Sequence, residues 1–150
     1  GGAAGALPPV IGWTIATNSL SLEPITFFLI IFFWTPSHFW ALSLYKSDDY
    51  KKAKIPMLPL TNGIESTKIN ILVYSLLMMP MVILPYAIDF VGLVFLIPAL
   101  MLTLYYNFLC FELYMYKKNK FNPKKAKTIF GYSILYLFLI FVIFLIDKIL

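Results

Sequence analysis

The sequence predicts an all-α, polytopic membrane protein, built as a bundle of transmembrane helices. Of its 150 residues, 61% are hydrophobic and only 13% are charged, and the mean hydropathy is +0.83. A soluble domain of this size carries about twice that charged fraction. Four apolar runs also reach or approach the roughly 20 residues that a helix needs to cross a bilayer. These runs are Ile25–Tyr45, Ile69–Ile88, Phe90–Phe111 and Thr128–Ile146.

A fifth apolar run, Gly1–Ala16, precedes the other four, and we therefore expect about five membrane helices. Its small residues, in the stretch GGAAGALPP, favour close contact between helices. The run has no basic segment followed by a short apolar core and a cleavage site, so we expect no signal peptide. Because the chain begins without a methionine, we expect it to be a piece of a longer protein.

Proline recurs within the apolar runs. A proline removes one backbone hydrogen bond and bends a membrane helix, and the freed carbonyl needs another partner. Several bent helices together favour a bundle that encloses a cavity, although merely packed bundles also contain bent helices. The prolines concerned are Pro8, Pro9, Pro36, Pro80, Pro85 and Pro98.

The twelve basic residues are all lysines, and they are unevenly distributed. Five lie in the connection Lys46–Lys68 and six in Lys117–Lys127, whereas Thr17–Pro24 and the turn at Asp89 contain none. The positive-inside rule predicts that the two lysine-rich connections face the cytoplasm and that Leu150 lies outside. Topology also explains the net charge of +5 without a nucleic-acid partner. We interpret Lys117–Lys127 as a determinant of topology that attracts anionic lipids.

The densest polar stretch is YKSDDYKKAKIPMLP, residues 45–59. Asp48 and Asp49 suit a divalent cation that in turn binds a diphosphate, since Mg²⁺ prefers one or two carboxylates together with phosphate oxygens and water. The alternative is ordinary loop solubility, with the carboxylates paired to nearby lysines, and such pairs stabilise little. The two prolines of IPMLP predict a stiff loop over the site. The candidate diphosphate-binding residues are Lys46, Tyr50, Lys51 and Lys52.

The single histidine, His38, lies well inside an apolar run. Ionisable residues at that depth usually face the protein interior or a wet cavity. Two interpretations stay open: a neutral imidazole hydrogen-bonded to another helix, or contact with a bound ligand or cofactor. At 3.6 residues per turn, one face carries Trp34, His38, Ala41 or Leu42, and Tyr45, and continues towards the aspartates. The distance from His38 to the aspartates is about 15 Å along the helix, the span of an isoprenoid chain.

Three segments resemble one known family over essentially the whole chain: GGAAGALPPVIGW, FWTPSHFWALSLYKSDDYKKAKIPMLP and YSILYLFLIFVIFLID. They resemble the C-terminal half of the heme O synthases, the protoheme IX farnesyltransferase family, within the superfamily of intramembrane aromatic prenyltransferases. The middle segment is specific, because apolar composition alone does not produce its order of residues. The resemblance implies one multi-pass domain of about nine membrane helices with a central cavity, of which residues 1–150 form the C-terminal half.

The resemblance also implies roles for individual residues. Asp49 matches the aspartate of the second of two cytoplasmic aspartate motifs, Asp48 its acidic neighbour and Lys46 its basic position. His38 matches the family's histidine, and Ser37 stands where a second proline is common. The wider superfamily often has another aspartate four residues after the position of Asp49, where this chain has Ala53. The first motif, an asparagine and two aspartates, has no match, which implies a missing N-terminal half that carries it.

The activity that the resemblance implies is farnesyl transfer. A farnesyl group would pass from farnesyl diphosphate to a vinyl group of protoheme IX, with water adding a hydroxyl, to give heme O and diphosphate. Mg²⁺ held by Asp48 and Asp49, together with lysines, would stabilise the departing diphosphate. Aromatic faces would shield the allylic cation from bulk water. The candidate heme and prenyl pocket residues are His38, Trp34, Trp40 and Tyr45.

Two alternatives remain beside this activity. One is a prenyltransferase that acts on a quinone precursor, and the other is a non-catalytic membrane transporter or assembly subunit. Because half of the diphosphate site is missing, we expect residues 1–150 to be inactive in isolation. We expect the protein in the inner membrane of a bacterial cell rather than in a mitochondrial inner membrane.

Overall fold

The computed structural model describes residues 1–116 and 123–150, and it confirms the all-α prediction. Four of its helices are long and apolar enough to cross a membrane, and four shorter helices connect or precede them. The short helices are α1 (Gly2–Ala6), α2 (Pro8–Thr17), α4 (Ser47–Lys52) and α5 (Leu58–Thr61), and the long ones are α3 (Leu22–Tyr45), α6 (Gly63–Ala87), α7 (Leu93–Met115) and α8 (Pro123–Ile149).

The first apolar run differs from the expectation of a fifth membrane-length helix. It forms the two short helices α1 and α2, which meet at Leu7. Pro8 has no backbone N–H to donate, so it cannot continue the hydrogen bonding of α1, whereas it is well suited to the first turn of a new helix. Both short helices pack on α3, and Gly2 lies close enough to Thr35 that a Cβ on it would come within 3.4 Å of the Thr35 side chain.

The four long helices form a ring in which α3 packs on α6, α6 on α7, α7 on α8, and α8 back on α3. The centre of the ring is filled by two fully buried tyrosines. The hydroxyl of Tyr106 lies 2.9 Å from Ser37 Oγ, and the hydroxyl of Tyr136 lies 3.0 Å from Thr103 Oγ1. These tyrosines therefore fill the space between α3, α7 and α8, and two apolar grooves, between α7 and α8 and between α3 and α8, are open. The central cavity that the prolines favoured stays a prediction for the complete bundle.

At one end of the ring, α8 caps the first turn of α7. The Asp147 carboxylate accepts hydrogen bonds from the backbone N–H of Gly92, at 2.9 and 3.1 Å, and from that of Phe95, at 3.0 Å. These are N–H groups that have no partner within their own helix, and a carboxylate there also opposes the positive end of the helix dipole. The preceding turn at Asp89, which the sequence predicted, adopts a left-handed conformation with φ of 56°.

At the opposite end, a buried lysine holds the last turn of α7. Lys68 is fully buried in α6, and its Nζ donates hydrogen bonds to the Tyr116 carbonyl at 2.7 Å and to Glu65 Oε1 at 3.0 Å. The carbonyls of a final helical turn lack partners within the helix, and a cation is favourable beside them. Lys68 is therefore part of the packed bundle rather than a solvated charge of the connection.

Lysines from both lysine-rich connections lie at this same end. The Nζ atoms of Lys46 and Lys127 lie 5.3 and 5.6 Å from the ring centroid of Tyr45. The two connections therefore emerge on one side of the bundle, as the positive-inside rule requires, and Asp147 lies on the other side. Residues 117–122 of the predicted run Lys117–Lys127 lie outside the described residues. We call the end around Tyr45 the lysine-rich rim.

Candidate functional site

The two aspartates of the polar stretch lie on a short helix at the lysine-rich rim. Helix α3 ends at Tyr45, and α4 begins two residues later with Asp48 and Asp49 in its first turn. Lys46 lies between the two helices, and its Nζ is 3.2 Å from Asp49 Oδ2. The hydrogen bond to Asp49, reinforced by its charge, raises the pKa of Lys46 above its ordinary value. The lysine is therefore a permanent cation at neutral pH.

Part of the predicted diphosphate site borders two hollows on this rim. A hollow of about 310 Å³ is lined by Lys46, Asp49, Tyr50, Ala53 and Ile55. A smaller one of about 160 Å³ adds Tyr45 and Asp48. The sequence-predicted Lys51 and Lys52 are exposed on the same helix, but they do not border either hollow.

The predicted stiff loop ends in the short helix α5. Its second residue, Pro59, is buried, and α5 packs against α3, α4 and α6. A proline fits this position because the first helical turn does not use its backbone N–H. The stretch IPMLP is therefore held against the bundle by α5, and its first residue, Ile55, lines the larger hollow.

Sequence reasoning missed one member of this rim, Lys127. We interpreted the run that contains it as a determinant of topology, yet α8 brings its Nζ over the Tyr45 ring. Among the described residues, no ion pair includes Lys127. Its charge thus adds to that of Lys46 around one aromatic ring. No sequence signal distinguishes it from its neighbouring lysines, because the contact depends on how α8 packs against α3.

The lower part of the α3 face contains His38, which contacts α8. The imidazole Nδ1 lies 2.6 Å from Ser133 Oγ, and the Trp34 indole N–H donates to the Ser133 backbone carbonyl at 2.9 Å. The imidazole stacks on Trp34 and on Phe130, with ring centroids 4.3 and 4.7 Å away. The first interpretation of His38, a hydrogen bond to another helix, therefore describes one of its two nitrogens.

His38 and Trp34 also line an open groove between α3 and α8, so contact with a ligand stays open as well. The groove has a volume of about 360 Å³. Trp40, which the sequence predicted for the same pocket, packs edge-on against Tyr74 of α6 instead, and it does not border this groove. The remaining residues that line the groove are apolar: Ile134, Leu137, Phe138 and Phe141.

The described residues contain no group of three or more histidine, cysteine, aspartate or glutamate side chains that could hold a metal ion. Asp48 and Asp49 form a pair without a third such ligand. A pair suits Mg²⁺ when phosphate oxygens supply further ligands, because this ion keeps few protein carboxylates. The donor set therefore fits a divalent cation that arrives with a diphosphate rather than a cation held by this segment alone.

Comparison with known proteins identifies the family. The profile of the UbiA prenyltransferase family matches residues 1–134. The chain is 96% identical over 150 residues to the protoheme IX farnesyltransferase of Pelagibacter ubique, covering 100% of this chain and 50% of that protein. It is 47% identical over 150 residues to the protein of that name from Parvibaculum lavamentivorans, covering 100% and 47% of the two chains.

A third protoheme IX farnesyltransferase, from Ehrlichia ruminantium, is 50% identical over 141 residues, which are 94% of this chain and 46% of that protein. The chain spans about half the length of the curated relatives it matches. No solved structure gives a significant match. With the profile match extending over residues 1–134, the chain belongs to the UbiA prenyltransferase family.

Proposed function

We propose that the full-length protein transfers a farnesyl group from farnesyl diphosphate to a vinyl group of protoheme IX. The names of the relatives support this activity. The observation that carries it is the order of groups from α3 to α4: an imidazole beside an apolar groove within α3, His38, and, just beyond the end of α3, a paired lysine and carboxylate at the rim, Lys46 and Asp49. Tyr45 and His38 are seven residues apart, about 10 Å along a helix.

The proposed reaction separates charge at one end of this path. The bond between the farnesyl C1 and the diphosphate oxygen breaks, so negative charge develops on the leaving group. Lys46 and Lys127 provide positive charge where that group would lie, which stabilises it electrostatically. UbiA prenyltransferases generally use divalent cations, and we propose Mg²⁺, held here through Asp49 and Asp48. When bound, such a cation would neutralise further charge on the diphosphate.

The other end would hold the acceptor. A vinyl carbon of protoheme attacks the farnesyl C1, water adds to the resulting cation, and the water's surplus proton leaves. Farnesyl diphosphate, protoheme and water thus give heme O and diphosphate. The apolar groove beside Trp34 and His38 would surround the reacting carbons with hydrocarbon side chains, and shielding of this kind protects an allylic cation from hydrolysis.

We also propose that residues 1–150 are one half of a single multi-pass domain, and that an N-terminal half supplies the first aspartate motif. This accounts for a carboxylate pair without a third ligand among the described residues. A quinone-precursor acceptor is the second candidate within the same family. A phenolic acceptor has no metal, so it would give His38 nothing to coordinate. A transporter would give the carboxylate pair no diphosphate to bind.

The proposal is tested by supplying purified full-length protein in lipid vesicles with farnesyl diphosphate, a divalent cation and either protoheme or a 4-hydroxybenzoate-type quinone precursor. We expect heme O and diphosphate from protoheme, and no prenylated product from the phenolic acceptor. The chain's own residues 1–150, expressed alone, serve as the inactive control. Product from the phenolic acceptor alone would overturn the proposal.

Lys127 should contribute to diphosphate binding. Lys127→Ala in the full-length protein should raise the KM for farnesyl diphosphate about tenfold, which corresponds to about 1.4 kcal/mol, since one positive charge leaves the rim. Lys125→Ala is the matched control, because Lys125 pairs with Glu112 instead, and its KM should change less than about twofold. Equal effects of the two variants would show that Lys127 acts only through the overall charge of the loop.

We propose that the protein lies in the inner membrane of a bacterial cell, with the lysine-rich rim facing the cytoplasm. In full-length protein whose Cys110 is replaced by alanine, an impermeant maleimide should label Ser19→Cys in spheroplasts that remain sealed. It should label Lys52→Cys only after permeabilisation, because positive loops stay inside. Labelling of both positions in sealed spheroplasts would contradict this orientation.

A further inference from the structure

We propose that Nε2 of His38 is the axial ligand of a porphyrin-bound iron, and that Ser133 selects the imidazole tautomer that makes this possible. The inference rests on the proposed function, because it takes protoheme as the molecule that enters the groove between α3 and α8. It adds the atom that holds the acceptor and the residue that orients that atom.

Three sides of the imidazole are already in contact with protein. Trp34 and Phe130 stack on the ring with interplanar angles of 19° and 27°, and Phe39 lies nearly perpendicular to it, with the two ring centroids 5.3 Å apart. Nδ1 is bonded to Ser133 Oγ. The described residues offer Nε2 no hydrogen-bond partner, although His38 is only 9% exposed. Nε2 is therefore the ring nitrogen that has no polar partner among the described residues, and His38 lines the groove.

The hydrogen bonds of Ser133 determine which nitrogen carries the proton. A serine hydroxyl has one proton to donate and two lone pairs that accept. Ser133 Oγ lies 2.6 Å from the Phe130 carbonyl, an oxygen that can only accept, so the hydroxyl proton points there. Its contact with His38 at 2.6 Å then requires the imidazole to be the donor. Neutral His38 is thus protonated on Nδ1 and has a lone pair on Nε2.

This arrangement is the one that histidine ligands of metals adopt. Such histidines almost always donate the other ring N–H to a polar group, which fixes the tautomer and the ring orientation. Here His38 Nδ1–H donates to Ser133 Oγ, and the Ser133 hydroxyl donates to the Phe130 carbonyl. The Trp34 indole bond to the Ser133 carbonyl fixes the same two helices relative to each other.

The surroundings of Nε2 favour an iron porphyrin over a polar ligand. Apart from His38 and Trp34, the groove is lined by aliphatic and phenyl side chains, so an unpaired nitrogen lone pair there is costly. A protoheme brings a flat apolar ring to those side chains and an iron to that lone pair. If His38 had only a structural role, its hydrogen bond to Ser133 would be sufficient, and Nε2 would have no hydrogen-bond partner within the membrane.

The experiment uses purified full-length protein and two matched ligands, ferric protoheme and metal-free protoporphyrin IX. Both have the same ring and side groups, but only the first can accept an axial ligand. We expect His38→Gln, which keeps a side chain able to bond Ser133, to weaken protoheme binding about tenfold or more, as ligand-shell changes do. Protoporphyrin IX binding should change less than about twofold. Ser133→Ala should weaken protoheme binding in the same direction but less.

The spectrum of the wild-type protein gives a readout that does not depend on how any variant folds. In the wild-type protein, the ferrous nitrosyl adduct of the bound protoheme should show hyperfine coupling to a trans imidazole nitrogen in its electron paramagnetic resonance spectrum. In His38→Gly, added imidazole should restore that coupling. Absence of the coupling in the wild type, or an equal loss of both porphyrins in His38→Gln, would overturn the inference.

The same samples separate this inference from the proposed function. Wild-type protein that makes heme O while its protoheme lacks nitrogen coupling would refute axial ligation and leave the farnesyl transfer standing. Alternatively, the wild-type protein could show the coupling and yet form no heme O when farnesyl diphosphate and a divalent cation are supplied. That result would refute the proposed activity and leave the ligand assignment standing.

Discussion

Replacing Asp49 with asparagine in the full-length protein should reduce heme O formation about 100-fold or more, a loss typical of removing one electrostatic contact to a developing charge. The change preserves size and hydrogen-bonding capacity but removes the negative charge that a divalent cation requires. If this charge is used mainly as the diphosphate departs, kcat should fall as well as KM rise. Steady-state assays of heme O formation at several Mg²⁺ concentrations would measure both.

The structure adds a reason to expect an intact fold in this variant. The pair that Asp49 forms with Lys46 is exposed on both sides, and such pairs contribute at most about 1 kcal/mol. Asp48→Asn is the matched control, and it should be milder because Asp48 makes no ion pair among the described residues. Raising Mg²⁺ should recover part of the Asp49→Asn activity. If Asp49→Asn has a normal rate and a normal Mg²⁺ dependence, the two aspartates are solvated loop charges rather than part of a cation site.

Replacing Lys68 with methionine should lower the free energy of unfolding of the full-length protein by about 3 kcal/mol. The methionine keeps the apolar volume but cannot donate to the Tyr116 carbonyl or to Glu65, and hydrogen bonds that involve a charged group contribute about 1.5–3 kcal/mol each. The loss of both would be partly offset, because no charge then remains buried. Reversible unfolding by SDS in mixed micelles would measure the difference.

The matched control is Lys52→Met, which removes an exposed lysine at the same rim. An exposed substitution of this kind should change the unfolding free energy by less than about 0.5 kcal/mol. If the two variants unfold at the same SDS concentration, the bonds of Lys68 do not stabilise the bundle. Activity is a separate readout, because Lys68 does not border the hollows at Asp49.

Apolar length alone predicted the long helices well, because crossing a bilayer requires a fixed number of residues. The predicted run Ile25–Tyr45 and helix α3 end at the same residue. The predicted start of the next helix, Ile69, is six residues late, since α6 begins at Gly63. Backbone hydrogen bonding continues into polar residues at the interface, where Lys68 is buried by tertiary contacts that hydropathy does not encode.

The partners across the bundle could not be predicted. Helices that are apolar all round give no periodicity that tells which side faces a neighbour. The bond from His38 to Ser133 joins positions 95 residues apart, and Tyr45 meets Lys127 only because α8 closes the ring. The face of α3 that includes Trp34 and His38 followed from helical geometry, whereas Trp40 lies on another side of the same helix, against Tyr74.

The carboxylate cap on α7 has a consequence for biosynthesis. Gly92 and Asp147 are 55 positions apart, so at 5–20 residues per second the ribosome needs about 3–11 s to add the cap after making the turn it serves. During that interval, the first N–H groups of α7 depend on water or on the insertion machinery. Helix α8, which closes the ring, thus also supplies the last hydrogen bonds to the first turn of α7. Helix α7 must therefore enter the membrane before these hydrogen bonds have formed.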